Sequence, residues 1–330
     1  MRNENHDIDI VVPWVDGADP EWRKQHDKFR PDANSDDDPS RYRQWDTFRF
    51  WFRAIENNAP WVRKIHFLTW GHTPRWLDIS NPKLHIVNHK DFIPHEYLPT
   101  FSSHVIELNM HRIPGLAEHF IYFNDDVFLI NKSKPSDFFF NGLPCDSAIL
   151  GVIKNNDTEN FMPYIMLNMM AIVNMKFPKN ETLHSNFSKW YSPKYGKYLL
   201  NNIYLSPFSC FTGFRNFHSA VPFRKTTFFY VWKIIPEVLQ DVCSRKFRSR
   251  EDVNQYLFRY WQLLSGEFNP VRPRSDYITI GRMSIPDLEK MINSKKNLML
   301  CINDDPGEFD KDEQESLISA LLAKKFHQIS

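Results

Sequence analysis

The chain has 330 residues, 42% of them hydrophobic and 15% aromatic, with a formal net charge of +1. That length and apolar share can fill a sizeable core, in one large or two modest domains. The near-zero charge gives no global case for nucleic acid, and ten glycines without periodic low complexity exclude fibrous and disordered classes.

Residues 1–7 are polar, so the start of the chain reads as carrying no signal peptide. No apolar run approaches the roughly 18 residues of a membrane span. Cys145, Cys210, Cys243 and Cys301 are scattered without a CxxC pair, which argues against zinc and against a disulfide framework. A reducing, cytoplasmic setting is expected.

Residues 8–15 form an apolar run ending in Asp16-Gly17-Ala18-Asp19-Pro20, a strand followed by a turn. Ligands gather at the carboxyl ends of parallel strands, so Asp16 is a candidate contact. Asp9 interrupts the run, either as a ligand or as a strand acid paired with an arginine. Residues 31–40 read as a polar loop. Trp45, Phe48, Phe52 and Ile55 recur at helical spacing and mark a helix ending before Pro60. Residues 65–70 and 84–87 read as further strands, and the alternation predicts a mostly parallel α/β sheet. Ser102 or Ser103 opens a short helix. Its apolar stripe is Ile106, Met110 and Ile113, and Ser103, Glu107 and His111 share another face.

The run His119-Phe120-Ile121-Tyr122-Phe123-Asn124-Asp125-Asp126-Val127-Phe128-Leu129-Ile130 is a buried strand broken by two adjacent acids. Desolvated carboxylates need a partner. Mg²⁺ fits, since it takes one or two carboxylates plus substrate phosphates. Residues 161–174 are ambiguous between strand and helix, and 186–205 read as helix interrupted near Pro193. Residues 215–250 then hold eight lysines and arginines against two acids, interleaved with aromatics. The stretch of that segment from Phe223 on could touch an anionic membrane or form an interior helix. Ser249 is expected to cap a helix with the stripe Val253, Leu257, Tyr260 and Leu264, which would set Arg248 at a phosphate-binding helix start. A strand over 276–281, a helix from Ser284, a strand over 297–302 and a last helix through Leu317, Leu321 and Leu322 complete the chain. The 297–302 strand ends in Asn303-Asp304-Asp305, a second Asn-Asp-Asp triplet that could converge with the first on one cation.

Paired acids at a strand end, His218 and Arg248 together suggest a nucleotide diphosphate pocket, with His218 as base or phosphate donor. There is no GxxxxGK[ST], GxSxG or HExxH motif.

Four blocks resemble the Stealth family, which includes bacterial capsular polysaccharide phosphotransferases. The first is Ile8-Asp9-Ile10-Val11-Val12-Pro13-Trp14-Val15-Asp16-Gly17. The second runs over 41–139 and includes Ala59-Pro60-Trp61-Val62-Arg63, Leu98-Pro99-Thr100-Phe101-Ser102-Ser103, Glu107, His111-Arg112-Ile113 and Asn124-Asp125-Asp126-Val127. The third covers His218 to Arg248, Glu251 and Asp252, and the fourth is Cys301-Ile302-Asn303-Asp304-Asp305.

The resemblance implies transfer of a hexose-1-phosphate, often N-acetylhexosamine-1-phosphate, from a UDP-sugar to a sugar hydroxyl. UMP would leave. It also implies a Rossmann-like α/β core with Mg²⁺ or Mn²⁺. On this reading the chain is a single catalytic domain, with 1–140 and 270–330 as the α/β core and 141–269 as a helical, aromatic-rich insertion for acceptor or phosphate.

The site expected from residues and resemblance together is as follows. Asp126, His218 and Arg248 are catalytic, with Asp126 competing with His218 as base. Asp125, Asp126 and Asp304 hold the metal. Asp9, Asp16, Ser103, Glu107, Arg112, Asn124 and Asn303 contact substrate or hold the site's shape. The partners are a UDP-sugar and an oligosaccharide or lipid-linked glycan, with no nucleic acid and with possible peripheral membrane contact. Where the family pattern has Arg-Asp-Asn, this chain has Arg43-Gln44-Trp45. The rival readings are a metal-dependent glycosyltransferase releasing UDP and a non-catalytic carbohydrate-binding component of an assembly complex.

Overall fold

A computed structural model describes residues 6–29, 35–36, 42, 47–280, 282–304 and 311–327. The stretch Arg43-Gln44-Trp45, most of the 31–40 loop, and Asp305 lie outside the described residues.

Five strands build the main sheet. They are β1 (Ile8–Pro13), β2 (Ile65–Thr69), β3 (Leu84–Asn88), β4 (His119–Tyr122) and a later strand from the helical part of the chain, Val221–Arg224. The order is β3-β2-β1-β4 and then Val221–Arg224 at the edge. The first four strands are parallel and the edge strand is antiparallel. The expected mostly parallel sheet is therefore present. Residues within the stretch read as a helical insertion also supply one of its strands. Strand order reverses at β1 and β4, the place where open α/β sheets leave a crevice at the carboxyl ends of their strands.

Side chains alternate across this sheet as a pleated strand requires. Phe120 and Tyr122 of β4 join the core on one face, while Ile121 and Phe123 join the core on the other. The first core is covered by α1 (Met162–Lys176), α2 (Lys225–Ile234), α3 (Pro236–Ser244) and α4 (Tyr256–Leu264). The ambiguous 161–174 stretch is thus a helix, apolar and Met-rich because it lies between helices.

The second core holds the helix Phe48–Asn58, which buries Phe48, Trp51, Ala54 and Ile55, and a smaller sheet. In that sheet, strand Val127–Leu129 runs antiparallel to β7 (Met299–Asp304), which pairs in parallel with β6 (Ser275–Ile280). The chain therefore leaves the main sheet at the end of β4 and enters the second within a few residues. Asn124-Asp125-Asp126 is the corner between them.

The basic aromatic stretch after Phe223 is largely interior. Phe223 and Phe228 are fully buried and Ile235 nearly so, while Phe229 and Tyr230 face outward. Among the described residues no helix is long and apolar enough to cross a membrane.

Asp9 settles at the amino-terminal edge of the main sheet, away from the crevice. It is fully buried. Arg63 clamps it in two places, Nε to Oδ1 at 2.9 Å and NH2 to Oδ2 at 2.6 Å. Ala117 N–H donates at 2.8 Å and His66 Nε2 lies at 2.9 Å from Oδ2. His66 donates there, and its Nδ1 lies 2.9 Å from His85 Nδ1. Burial pushes the Asp9 carboxyl up, but the hydrogen bonds from His66, Arg63 and Ala117 outweigh it and hold the group below the usual 3.8. Fully buried behind these donors, the carboxylate is closed to a substrate, and the strand acid paired with arginine is the reading the structure supports.

A depressed carboxyl stabilises the fold above its unfolded value, and the contribution fades as pH falls through its folded value. Asp9→Ala leaves His66 and Arg63 without their acceptor. It should cost about 3–5 kcal/mol, the scale of breaking a buried pair from one side. A denaturant midpoint close to the wild type would refute that role.

Candidate active site

The acid corner is rigidly framed. Val127 N–H closes the turn on the Asn124 carbonyl at 3.1 Å. Behind it, Trp51 Nε1 donates to the Val127 carbonyl at 3.0 Å and Asn58 Nδ2 to the Leu129 carbonyl at 2.6 Å. In front, Ile302 N–H donates to the Asp126 carbonyl at 2.8 Å. The strand that carries Asn303, the first residue of the second triplet, is thereby laid alongside Asp126. Asn303 is half-buried; the Asp304 side chain lies outside the described ones.

Asp125 is exposed at the turn and Asp126 half-buried beside it. Burial and the neighbouring Asp126 charge raise its carboxyl to about 7, and burial raises Asp126 to about 6. Asp126 Oδ2 accepts from the Cys301 thiol at 3.2 Å, but Oδ1 is buried and has no hydrogen-bond partner among the described residues. Burial and the Asp126 charge push that thiol well above its usual range, so Cys301 stays a neutral donor.

Among the described residues no three His, Cys, Asp or Glu side chains gather into a closed metal cage. The donor set nonetheless fits a hard cation that keeps open positions. Two carboxylates resist ionisation and one oxygen lacks a partner, and a divalent cation would satisfy both.

Arg248 reaches the same region from another segment. It lies in a two-residue strand, Arg248–Ser249, paired with Ser35–Asp36. The expected helix does not begin at Ser249. The Asp252 carboxylate is drawn instead to Ser249 N–H (2.9 Å), His104 Nδ1 (2.8 Å) and Arg245 NH1 (3.3 Å), so the chain stays irregular until α4 starts at Tyr256. The guanidinium donates to Ser103 Oγ at 2.6 Å, at the first residue of the helix Ser103–Asn109. A helix start does stand beside Arg248, but it belongs to a different part of the chain.

Tyr122 ties these groups together. Its hydroxyl donates to Glu107 Oε1 at 2.9 Å. Burial raises its pKa well above normal, as do the Glu107 charge and hydrogen bond and the Asp125 charge; Arg248 pulls it down. Arg248, Asp125 and Glu107 thus lie within charge range of one phenol. Glu107 itself is buried, and its Oε2 accepts from Gln255 N–H at 3.2 Å. Both oxygens are taken, so Glu107 holds Tyr122 and the approach to α4 and acts on the site through them.

His218 arrives through Tyr277. The two rings lie 4.8 Å apart, and Ser275 Oγ donates to the His218 carbonyl at 3.3 Å. The hydroxyl of Tyr277 is pushed up to about 12 by burial and by Cys301 and Asp126, against hydrogen bonds to Thr279 and Asn303. One side chain therefore spans from the imidazole to Asn303 and the acids. Burial lowers the His218 pKa, which favours the neutral ring that can accept a proton. Its backbone has φ 44°, a left-handed conformation that costs a non-glycine residue roughly 1–2 kcal/mol. Such strain persists where surrounding structure imposes it, commonly at functional sites.

The remaining expected contacts separate. Asp16 lies just past the carboxyl end of β1; its N–H donates to His72 Nε2 at 2.7 Å and its Oδ1 caps Ala18 N–H. Gly17 beside it has no room for a side chain, because an added Cβ would collide with Tyr42. Asn124 faces solvent at the turn. Arg112 does not join the site. It is exposed beyond the far end of the Ser103–Asn109 helix and stacks on Trp232 at 5.0 Å. His111 turns inward among Phe228, Phe229 and Trp232 because the helix tightens into a 3₁₀ turn at Met110–Arg112, and its ring leaves the Ser103 face. Tyr122, Tyr256, Tyr277 and Cys301 were missed in the sequence. They sit inside apolar strands or helices, where an aromatic or a thiol reads as core.

The sequence matches Stealth protein conserved region 1 over residues 6–32 and conserved region 2 over residues 41–145. It is 40% identical to a capsular polysaccharide phosphotransferase WcwK of Streptococcus pneumoniae, over 98% of this chain and 98% of that protein. The chain belongs to the Stealth family. Further Stealth relatives include the receptor polysaccharide phosphotransferase WefC of Streptococcus oralis, 37% identical over 96% of this chain and 95% of that protein. The exopolysaccharide phosphotransferase cps2G of Lactiplantibacillus plantarum is 37% identical over 90% and 87%. Among solved structures, the Stealth chain is similar to a galactosyltransferase LgtC in complex with donor and acceptor sugar analogs. That match has 10% identity, covers 96% of this chain and 95% of that one, and has a TM-score of 0.37, too slight a likeness to speak to chemistry.

Proposed function

We propose that the protein is a sugar-phosphate transferase. It takes a hexose-1-phosphate from a UDP-sugar, N-acetylhexosamine-1-phosphate being the first candidate, and joins it to a glycan hydroxyl as a phosphodiester, releasing UMP. What supports this most is the meeting of paired acids, a guanidinium and an imidazole at one crevice, in a chain with full-length polysaccharide phosphotransferase relatives.

Asp125 and Asp126, with Asn303 and Asp304 alongside, would hold Mg²⁺ or Mn²⁺, which screens the donor pyrophosphate when bound. Arg248, steadied by Ser103, binds the transferred phosphate and meets the charge that grows on it. Asp16 faces the donor from β1. His218, neutral and pressed against Tyr277, takes the proton of the acceptor hydroxyl.

Purified protein incubated with UDP-N-acetylglucosamine, Mg²⁺ and an oligosaccharide should release UMP and leave phosphorus in the product. Release of UDP would replace this reading with glycosyl transfer. Donor that stays intact with every acceptor would leave a carbohydrate-binding component. The His218→Gln protein should lose transfer by about 10²–10⁴-fold, the range of general-base catalysis, while still binding donor. In the wild type, kcat should rise with pH through a value below 6.5. A His218→Gln profile with that limb intact would remove the base assignment.

A further inference from the structure

Two recesses adjoin beside His218, and they share Phe217, Arg272, Pro273 and Ser275 as a common wall. The first also borders on Tyr256, which lies within charge range of Glu107 and Cys301. Ser275 and Tyr277 are two residues apart on β6, so their side chains share a face, roughly 7 Å apart along the strand. Ser275 holds the His218 carbonyl and Tyr277 holds its ring. Ser275 and the chain neighbours of His218 thus connect the wall of the recesses to the proposed base.

The cations around them are not equivalent. Arg259 is buried and fully engaged, with Asp146 at 2.7 and 2.8 Å, Asn216 at 2.8 Å and the Ser147 carbonyl at 3.2 Å. Arg274 pairs with Asp137 at 3.0 Å. Arg272 is exposed and has no partner among the described residues. In the second recess Lys197, Lys290 and Lys296 join it, four cations against the two acids Asp276 and Asp287, which are hydrogen-bonded by Asn297 and Ser284. Single surface charges contribute little, but several of one sign along a concave wall concentrate a positive field. In a chain of net charge +1 this is a local excess. A neutral glycan would have no use for it.

We propose that the joined recesses bind the acceptor, and that Arg272, backed by Lys197, Lys290 and Lys296, holds a phosphate group that the acceptor already carries away from its reacting hydroxyl. This rests on the transferase reading above. Two sources share that chemistry. One is a phosphodiester left by an earlier round of transfer, and the other is a terminal phosphate through which the glycan is tethered.

Calorimetric binding without donor tests it with three probes. They are N,N′-diacetylchitobiose, the same disaccharide with a reducing-end phosphate, and two N-acetylglucosamine residues joined by a phosphodiester. At least one anionic probe should bind about tenfold more tightly than the neutral one, as expected for a charge-assisted contact, and which one does identifies the source. An Arg272→Ala, Lys290→Ala protein should bind all three alike, melt with the wild type and keep its affinity for UDP-N-acetylglucosamine. Equal binding of the three probes by wild type overturns the proposal, as does discrimination that survives in the double variant. If wild type discriminates yet releases no UMP with any probe, the transferase reading fails and the phosphate site stands.

Discussion

An Asp126→Asn protein should transfer sugar phosphate about 10³-fold more slowly than wild type, the scale seen when a principal electrostatic contact is removed. It should also lose any Mg²⁺ dependence of UDP-N-acetylglucosamine binding. The substitution keeps shape and keeps an acceptor for the Cys301 thiol, so the fold should survive it. What it removes is the charge at Oδ1, which is buried with no hydrogen-bond partner among the described residues. Donor binding that remains cation-dependent in this variant would move the metal elsewhere.

The same carboxylates give the cation-free protein a pH signature. Burial raises Asp125 to about 7 and Asp126 to about 6, above the ordinary 3.8. A raised carboxyl means the folded protein holds protons that the unfolded chain releases. Its contribution to stability is complete below 3.8 and is lost as pH rises through about 6 and 7. Thermal unfolding in a chelator should therefore show the melting temperature falling across that window. Mg²⁺ binds the ionised pair and should restore it toward neutral pH, and Asp126→Asn should flatten the fall. A wild-type profile flat through the window would mean that water already satisfies the corner.

Much of this arrangement was legible in the sequence because local rules coincide with the fold there. The run from His119 read as one buried strand broken by an acid pair. The structure makes that break the passage between two sheets. The second triplet after Cys301 was legible for the same reason. Asp9 was ambiguous because an acid in a strand looks the same whether a ligand or an arginine satisfies it, and only the neighbouring strands supply Arg63 and His66. Arg248 was placed at the wrong helix because Asp252 satisfied the capping spacing. In the fold the carboxylate does accept from Ser249 N–H as that spacing predicts, but it also serves His104 and Arg245, and no helix begins there. Tyr122 and Tyr277 were invisible, since nothing in a strand's periodicity tells a structural phenol from one that joins an acid to a histidine.

Arg248→Lys should keep the positive charge and still lose about 10²–10³-fold in kcat, with the donor KM little changed. The backbone around Arg248 is fixed on both sides. Phe247 is buried and stacks on Phe101 at 5.3 Å, the Lys246 carbonyl accepts from Phe101 N–H at 2.8 Å, and Ser249 N–H is held by Asp252. From that frame the planar guanidinium donates to Ser103 Oγ. An ammonium is a point charge on a flexible stem and cannot hold Ser103 and a phosphate in fixed geometry together. Ser103→Ala should therefore weaken transfer less than Arg248→Lys does. Asp252→Asn, which loosens the frame and takes the carboxylate from His104 while Arg245 keeps Asp241 and Glu251, should lower kcat and the melting temperature together. The contrast between variants carries the test. If Arg248→Lys transfers at nearly the wild-type rate, the charge alone matters and the fork does not. If Arg248→Lys melts as early as Asp252→Asn, the arginine is holding the fold and not the phosphate.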